Sequence, residues 1–454
     1  MHVDFLVERF RHNAGAPAIV WRDAVTDYGW LADEMQRLGR LLAERGVPRG
    51  AVTSVEADFS PRAVALLLAL IEHGAVIVPL TSSVEEKKPE FRAIAEVECC
   101  ISIDDADRVQ IEMTGVKPRH ELLLGLKTVG HPGLILFSSG STGKSKAALH
   151  DIVPMLEKFT VPRHTLRTIT FLLFDHIGGF NTLLYNLSNT GCVVTVQDRR
   201  PETICRAVQD HRVELLPTSP TFLNLLLVSE AYRQYDLSSL KMVTYGTEVM
   251  PESTLKRFHA AFPEVKLLQT YGLSEVGILR SKSRSSDSLW VKVGGEGFET
   301  RVVDGMLEIK AKSAMLGYLN HASPFTADGW FKTGDAVEVD GEYLRILGRK
   351  SELINVGGEK VYPAEVESVL QLMEGVEDVA VTGQPHPMTG QIVFARVKLT
   401  SGESLAEFRA RMRQFCQDKL ARYAVPQKVE LVEESLHGER FKKMRRLDSG
   451  PATG

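Results

Sequence analysis

The sequence predicts an α/β protein in two parts: a large N-terminal domain of parallel sheets flanked by helices, ending in a small distorted β-barrel, then a small α+β domain. Three observations lead there. Short apolar runs alternate with helical patterns through most of the chain, the pattern of parallel strands covered by helices. Near Trp290 the pattern changes to short strands punctuated by Asp-Gly turns, and after Arg349 a compact mixture of helix and strand follows. The length, 454 residues, exceeds what one hydrophobic core organises.

The elements follow in order. LADEMQRLGRLLAERG repeats apolar residues at helical spacing and stops at Gly46, while AVTSVEA and GAVIVPL read as strands. The most apolar stretch, AVALLLALIEHGAVIVPL, is interrupted by Glu72 and His73; neither side is long enough to span a bilayer, so it reads as a buried helix feeding a buried strand. GLILFSS, TITFLLFD, GCVVTVQ, VELLPTSP and SLKMVTYG continue the strands, with a helix through PETICRAVQDH. Ligands of such a sheet gather at the carboxyl ends of its strands. LWVKVGG, FETRVVDGMLEIKA and AVEVDGEYLRILGR are strands turning at Asp304-Gly305 and Asp340-Gly341, and form the barrel-like unit. The domains expected are 1–349 and 350–454, the boundary falling at Arg349–Ser351. Beyond it come a helix from Pro363, strands VEDVAVTG and IVFARVKL, and a helix EFRARMRQFCQDKL.

Composition excludes several classes. With 44% hydrophobic and 25% charged residues the chain is an ordinary soluble one, and a net charge of −4 argues against nucleic acid as a partner. Cys99, Cys100, Cys192, Cys205 and Cys416 make no C-x-x-C pair and lie beside no histidine at ligand spacing, so zinc is not expected. Scattered cysteines and the absence of a signal-peptide core suit the cytoplasm, and no membrane span is expected.

Chemistry concentrates first in FSSGSTGKSK, Phe137 to Lys146, which has the small, hydroxylated and basic composition of a phosphate loop. Ser138 stands where a P-loop NTPase needs its first glycine. A kinase reading would assign Asp175, at the end of TFLLFD, to magnesium. Downstream stand YGLSE (271–275), GWFKTGD (329–335) and GRKSELINVGGEKVYPAEVE (348–367).

Together with the loop, in this order and spacing, these segments resemble the core motifs of the adenylate-forming superfamily, which includes acyl- and aryl-CoA ligases and peptide-synthetase adenylation domains. The resemblance implies a mobile C-terminal lid domain and a two-step reaction. A carboxylic acid, aryl or aliphatic, is activated with ATP and Mg2+ to an acyl-adenylate, then transferred to a thiol. The thiol expected is coenzyme A; the alternative is the phosphopantetheine of an acyl carrier protein. From another class, a catalytically silent adenylate- or acyl-binding protein would share the fold.

It also implies roles. Ser139, Gly140, Ser141, Thr142, Gly143, Lys144 and Lys146 would cradle the β- and γ-phosphates, with Thr142 and Glu275 on magnesium. Gly246, Thr247 and Glu248 would frame adenine, with Gln269 at its amino group. Tyr271 and Gly272 would border the adenine and acyl sites, and Ser274 would touch the α-phosphate. Asp335 and Arg349 would hold the ribose, a carboxylate being a natural acceptor for a vicinal diol. His176 corresponds to the acyl-pocket gate, with Asp175 one place early, and Ile177, Gly178, Gly179 and Phe180 would line a compact apolar pocket. Gly357 and Gly358 belong to a loop that swings toward the thiol channel. In LHGERFKKMRRL, aligning Leu436 and Arg446 with the family's leucine and arginine selects Lys443 as the adenylation lysine, with Lys442 in reserve. The hinge position, aspartate or lysine in most members, is Ser351 here, and Asn355 stands where some relatives carry lysine.

Overall fold

A computed structural model describes residues 2–139, 145–400, 402–438 and 440–445. Its frame is two seven-stranded sheets. In one, strands Pro17–Trp21, Cys192–Val194, Arg167–Ile169, Leu215–Thr218, Met242–Tyr245 and Lys266–Gln269 run parallel, with Ala24–Asp27 added antiparallel at the edge. In the other, Gly133–Ser139, Val76–Leu80, Val52–Glu56 and Cys99–Ile103 are parallel, flanked by antiparallel strands on both sides. Helix Pro61–His73 is buried along most of its length, which explains its nearly unbroken apolar sequence. Ser60 caps its start and Gly74, at φ +74°, ends it in the left-handed conformation that glycine adopts without steric cost.

One expected strand is shorter than its sequence suggested. TITFLLFD forms a strand only over Arg167–Ile169. Phe171 and Phe174 are fully buried beyond it, so the apolar run packs irregular backbone rather than extending the sheet.

The Asp-Gly segments form the expected hairpins, Phe298–Val303 with Met306–Ala311 and Phe331–Asp340 with Tyr343–Arg349. With Arg280–Ser283 and Trp290–Gly294 they form a six-stranded antiparallel half-barrel, the expected distorted barrel unit. From Ile354 onward the chain builds its own five-stranded sheet around strands Val376–His386 and Gly390–Leu399. That sheet has a separate core, centred on Val366, Val379, Val393, Phe408 and Met412. Helix Pro363–Leu370 docks this unit on the first, Ser253 N–H donating to Ser368 Oγ at 3.1 Å, and Asn224 donates to the Glu377 carbonyl at 3.1 Å. Among the described residues no helix is long and apolar enough to cross a membrane.

Candidate active site

Strand Gly133–Ser139 does not open into a helix. It turns back antiparallel into Ser145–Asp151, with Ser139 opposite Ser145. A P-loop requires a strand followed directly by a helix, so the kinase reading fails on topology. Gly140, Ser141, Thr142, Gly143 and Lys144 lie outside the described residues, as does the side chain of Ser139. Lys146, one residue into the returning strand, places its ammonium 5.3 Å from the centre of the Tyr318 ring, within cation–π range. The Tyr318 hydroxyl donates to Glu275 Oε1 at 2.5 Å. Burial and the Glu275 charge raise the Tyr318 pKa, so it remains a donor.

The YGLSE segment makes a tight turn between Gly272–Leu273 and Gly277–Ile278. Gly272 is required there, because a Cβ would lie 2.6 Å from the Gly277 carbonyl oxygen. Under the turn lies His150, fully buried beside the backbone of Ser274 and Ser313. Burial pushes its imidazole down to about 4, so it supports the turn as a neutral group.

The strand pairing that brings Asp335 opposite Arg349 builds the next part. Asp335 is buried; Tyr271 Oη donates to its Oδ2 at 2.5 Å, and Arg349 Nε stands 3.4 Å from Oδ1. Burial raises the Asp335 pKa, while Arg349 and the Tyr271 hydrogen bond oppose that rise. Gln269, at the carboxyl end of its parallel strand, is buried with Oε1 unpartnered, a polar atom positioned for an outside donor. Gly246 approaches Thr270 so closely that a Cβ would sit 2.6 Å from its hydroxyl, and Thr247 adopts φ +74°. Glu248 is engaged otherwise than expected. Its carboxylate accepts from Thr221 N–H at 2.8 Å, from Thr221 Oγ1 at 2.5 Å, and from the backbone N–H of Lys443 at 3.1 Å. It thus ties the C-terminal segment to the start of helix Pro220–Ser229.

That segment decides between the two lysines. Lys443 Nζ donates to Asp378 Oδ1 at 2.8 Å and to the Val379 carbonyl at 2.5 Å, inside the C-terminal unit, with both side chains of the pair 3% exposed. Arg445 points the same way and grips Glu367 through two hydrogen bonds of 2.9 and 2.7 Å and Glu352 through one of 2.8 Å. Near-extended backbone sends alternate side chains to opposite faces. Lys442 accordingly stands on the other side, among Arg349, Glu248, Arg440 and Glu275. Burial first, then the neighbouring Arg349, brings its pKa down to about 8. Lys443, the first choice from sequence, is turned into the C-terminal unit, while Lys442, the reserve, is the lysine within reach of Arg349 and Glu275. The absent family glycine and proline removed the landmarks that would have fixed the register.

His176 completes the cluster. It is partly buried, and burial together with the charges of Lys442 and Arg440 holds its pKa well below the ordinary value, leaving a neutral imidazole. Of the residues after it, Gly179 borders a small pocket with Phe59, Thr168 and Leu172. Ile177 and Phe180 face the main core, and Gly179 packs so tightly that a Cβ would fall 1.9 Å from the Leu173 carbonyl oxygen. Asp175 also has a different setting from the magnesium one: Oδ2 accepts from Thr81 Oγ1 at 2.8 Å, Ser83 Oγ at 3.3 Å and Arg440 Nη2 at 3.0 Å. Gly357 and Gly358, at φ +62° and +98°, form an exposed two-residue hairpin turn, held by Asn355 and Thr389 of their own unit. A cavity of about 340 Å³ between the two units, lined by Val249, Arg345, Lys360 and Tyr423 among others, is bordered by none of the residues expected at the site. Sequence reasoning missed Tyr318, Thr81, Ser83, His150 and Arg440; only Arg440, in the basic run beside the candidate lysines, carried any signal.

With this geometry in view, comparison with known proteins is decisive. The model of the family "AMP-binding enzyme" matches residues 6–329, and that of the AMP-binding enzyme C-terminal domain matches 365–442. The chain belongs to the AMP-binding enzyme family. It is 27% identical to the indoleacetate–CoA ligase of Aromatoleum aromaticum, over 92% of each chain. It is 29% identical to the 2-succinylbenzoate–CoA ligase of Enterococcus faecalis, over 65% of this chain and 64% of that one. The fold matches the anthranilate CoA ligase AuaEII in complex with anthranoyl-AMP (TM-score 0.80, 20% identity, 97% of this chain and 95% of that one). It also matches ATP-bound MatB from Rhodopseudomonas palustris (TM-score 0.75, 23% identity, 97% of each). As a member of this family the chain carries the adenylate-forming fold that its motifs implied.

Proposed function

We propose that this AMP-binding enzyme is an acid–thiol ligase that activates a carboxylic acid with ATP and passes the acyl group to coenzyme A. The observation carrying this reading is that Lys442, from the C-terminal unit, lies within electrostatic reach of Glu275, Arg349 and His176, beside the Asp335–Arg349 pair and the Tyr318–Glu275 hydrogen bond. The relatives named above are CoA ligases, which supports coenzyme A over a carrier protein; their names, indoleacetate and succinylbenzoate, favour an aryl-bearing acid.

In the first step a carboxylate oxygen attacks the α-phosphorus of ATP, the bond to pyrophosphate breaks, and the acyl-adenylate forms. This chain supplies charge and position rather than a nucleophile. Lys442, kept cationic at neutral pH, sits where negative charge accumulates on the carboxylate and α-phosphate. Asp335 offers its carboxylate to the ribose hydroxyls, held in place by Tyr271 and Arg349. The unpartnered Gln269 Oε1 suits the adenine amino group. Glu275 has one carboxylate oxygen taken by Tyr318, leaving the other for magnesium, which favours few protein carboxylates alongside phosphate oxygens; when bound, the ion would offset phosphate charge. Neutral His176 can pack against the acyl group without adding charge. In the second step the thiol sulfur attacks the acyl carbon, loses its proton and AMP leaves. The functional division is 1–349 and 350–454, the short turn at 350–352 being the pivot and bringing Gly357-Gly358 toward the thiol.

The test is acid-dependent exchange of labelled pyrophosphate into ATP, screened over aryl, fatty and amino acids. Exchange with at least one acid, followed by thioester formation with coenzyme A, is the expected result. Exchange with transfer only to a carrier protein would move the acceptor assignment; ATP binding without exchange for any acid would leave a silent binding protein.

A further inference from the structure

Lys442 is carried by a loop that is pinned on both sides, and one of its pins plays no part in the chemistry above. On the C-terminal side the pins are Lys443 on Asp378 and Arg445 on Glu367 and Glu352. On the N-terminal side they are Phe441 and Arg440. Phe441 packs against the contacting pair Phe171 and Phe222, with ring centres 5.3 and 5.7 Å away, and the Arg199 guanidinium lies 5.5 Å from its centre. Its φ of +51° is uncommon for a bulky residue, and Gly438 N–H donates to the Lys442 carbonyl at 3.1 Å to close the turn. Arg440 reaches Asp175 at 3.0 Å, across 265 positions of sequence. The Asp175 side chain is 3% exposed and that of Arg440 27%. Thr81 and Ser83 fix the same carboxylate oxygen, while Oδ1 is buried without a partner. A buried carboxylate oriented by two hydroxyls, with an arginine from the other unit as its single cation among the described contacts, is a preformed receptor for that arginine.

We infer that the Asp175–Arg440 pair is a latch. The two are positioning residues that hold Lys442 over the adenylate site during acid activation, and they separate before the C-terminal unit turns for thiol transfer. The inference rests on the reading of Lys442 and of the two-step reaction given above. Asp175 immediately precedes His176, so the latch shares its backbone with the candidate acyl gate, and closure of the loop and positioning of the acid are physically linked.

The full-length protein tests it, with Arg440→Ala, Arg440→Lys, Asp175→Asn and the Ala/Asn double variant. Two half-reactions are assayed with the most active acid of the exchange screen: pyrophosphate exchange, and thioester formation from its chemically prepared adenylate. Exchange should fall about 10- to 100-fold in Arg440→Ala and Asp175→Asn, the loss expected when a charged group is misplaced by an ångström. The double variant should be no worse than either single one, Arg440→Lys should recover part of the loss, and transfer from the supplied adenylate should be unchanged or faster. Independently of any acid, trypsin should cut ligand-free Asp175→Asn within residues 440–445 faster than the parent. Exchange within about twofold of the parent, equal loss of both half-reactions, additive losses, or unchanged trypsin sensitivity would each overturn the latch. Lys442→Ala separates the two claims: if it retains exchange the reading of the site fails, and if it alone loses exchange only the latch fails.

Discussion

The two halves of the site are built on opposite principles. The N-terminal half is a set of rigid strand ends. Asp335 and Arg349 face each other through hairpin register, and Gln269 and the Gly246 turn sit at the carboxyl ends of parallel strands. Each position there is over-determined by backbone hydrogen bonds. The C-terminal half is a short arm, held by one β-bridge between His437 and Lys443, in which Lys443 and Arg445 turn one way and Lys442 the other. Strand ends are fixed by the fold, whereas the arm is fixed by its own side chains. Substitutions should therefore act differently in the two halves.

The largest expected effect separates neighbouring lysines. Lys442→Ala should reduce pyrophosphate exchange by about 10²- to 10³-fold, the loss typical of removing a preorganised group that stabilises transition-state charge, with no loss of thermal stability. Lys443→Ala should do the reverse. It strips the partner from buried Asp378, and breaking a buried pair costs about 3–5 kcal/mol, so Tm should fall clearly while exchange by the folded fraction falls far less than in Lys442→Ala. Thermal unfolding and exchange measured on both variants decide the matter. If Lys443→Ala proved the inactive but stable one, the assignment of faces along the arm would be inverted.

That contrast also explains what the sequence made legible. Periodicity and turn dipeptides located seven of the fourteen strands of the two sheets and both hairpins, because those runs carry the longest apolar patterns; strands such as Cys99–Ile103 and Ser145–Asp151, with less apolar sequences, gave no such signal. Asp335, Arg349, Gln269 and Glu275 could be nominated because several motifs stood in register. Asp175 was read as a metal ligand or a near miss for the acyl site, because its three partners, Thr81, Ser83 and Arg440, lie 92 to 265 positions away. TFLLFD read as strand because apolar content alone does not distinguish a strand from buried irregular chain. Lys442 and Lys443 differ by one place, and a shift of one residue reverses the face in extended backbone. No local feature of KK specifies which face is which.

The pH dependence tests the arm more gently. The Lys442 ammonium is faced by Arg349, Arg440 and His176 and by the carboxylates of Glu248 and Glu275, and with burial the balance brings its pKa down to about 8. Activation requires the protonated form, so kcat/KM for exchange should fall as pH rises above about 8, and Lys442→Arg should move that fall to much higher pH. The stability sign is opposite to the activity sign. Between about 8 and the ordinary lysine value of 10.5 the unfolded chain binds the proton more tightly, so stability should rise with pH through that window. Below it the buried charge is a cost, and Lys442→Met should raise Tm at pH 7. An alkaline limb unaffected by Lys442→Arg would assign the titration to another group.

The smallest expected effect probes the cradle's over-determination. Tyr271→Phe removes the hydroxyl that donates to Asp335 and leaves the ring in its core of Val276, Val291 and Leu307. Asp335 still faces Arg349, so the carboxylate proposed to accept the ribose hydroxyls remains in place, and the loss is that of one hydrogen bond to a charged group, about 1.5–3 kcal/mol at most. The KM for ATP should rise more than kcat falls, because the contact acts on binding. The hydroxyl also opposes the burial that raises the Asp335 pKa, so its removal raises that pKa further. The acid limb of kcat/KM for ATP should accordingly shift to higher pH, opposite in position to the alkaline limb governed by Lys442. Movement of the alkaline limb instead would mean that Tyr271 acts through the arm, and that the two halves are coupled more tightly than their construction suggests.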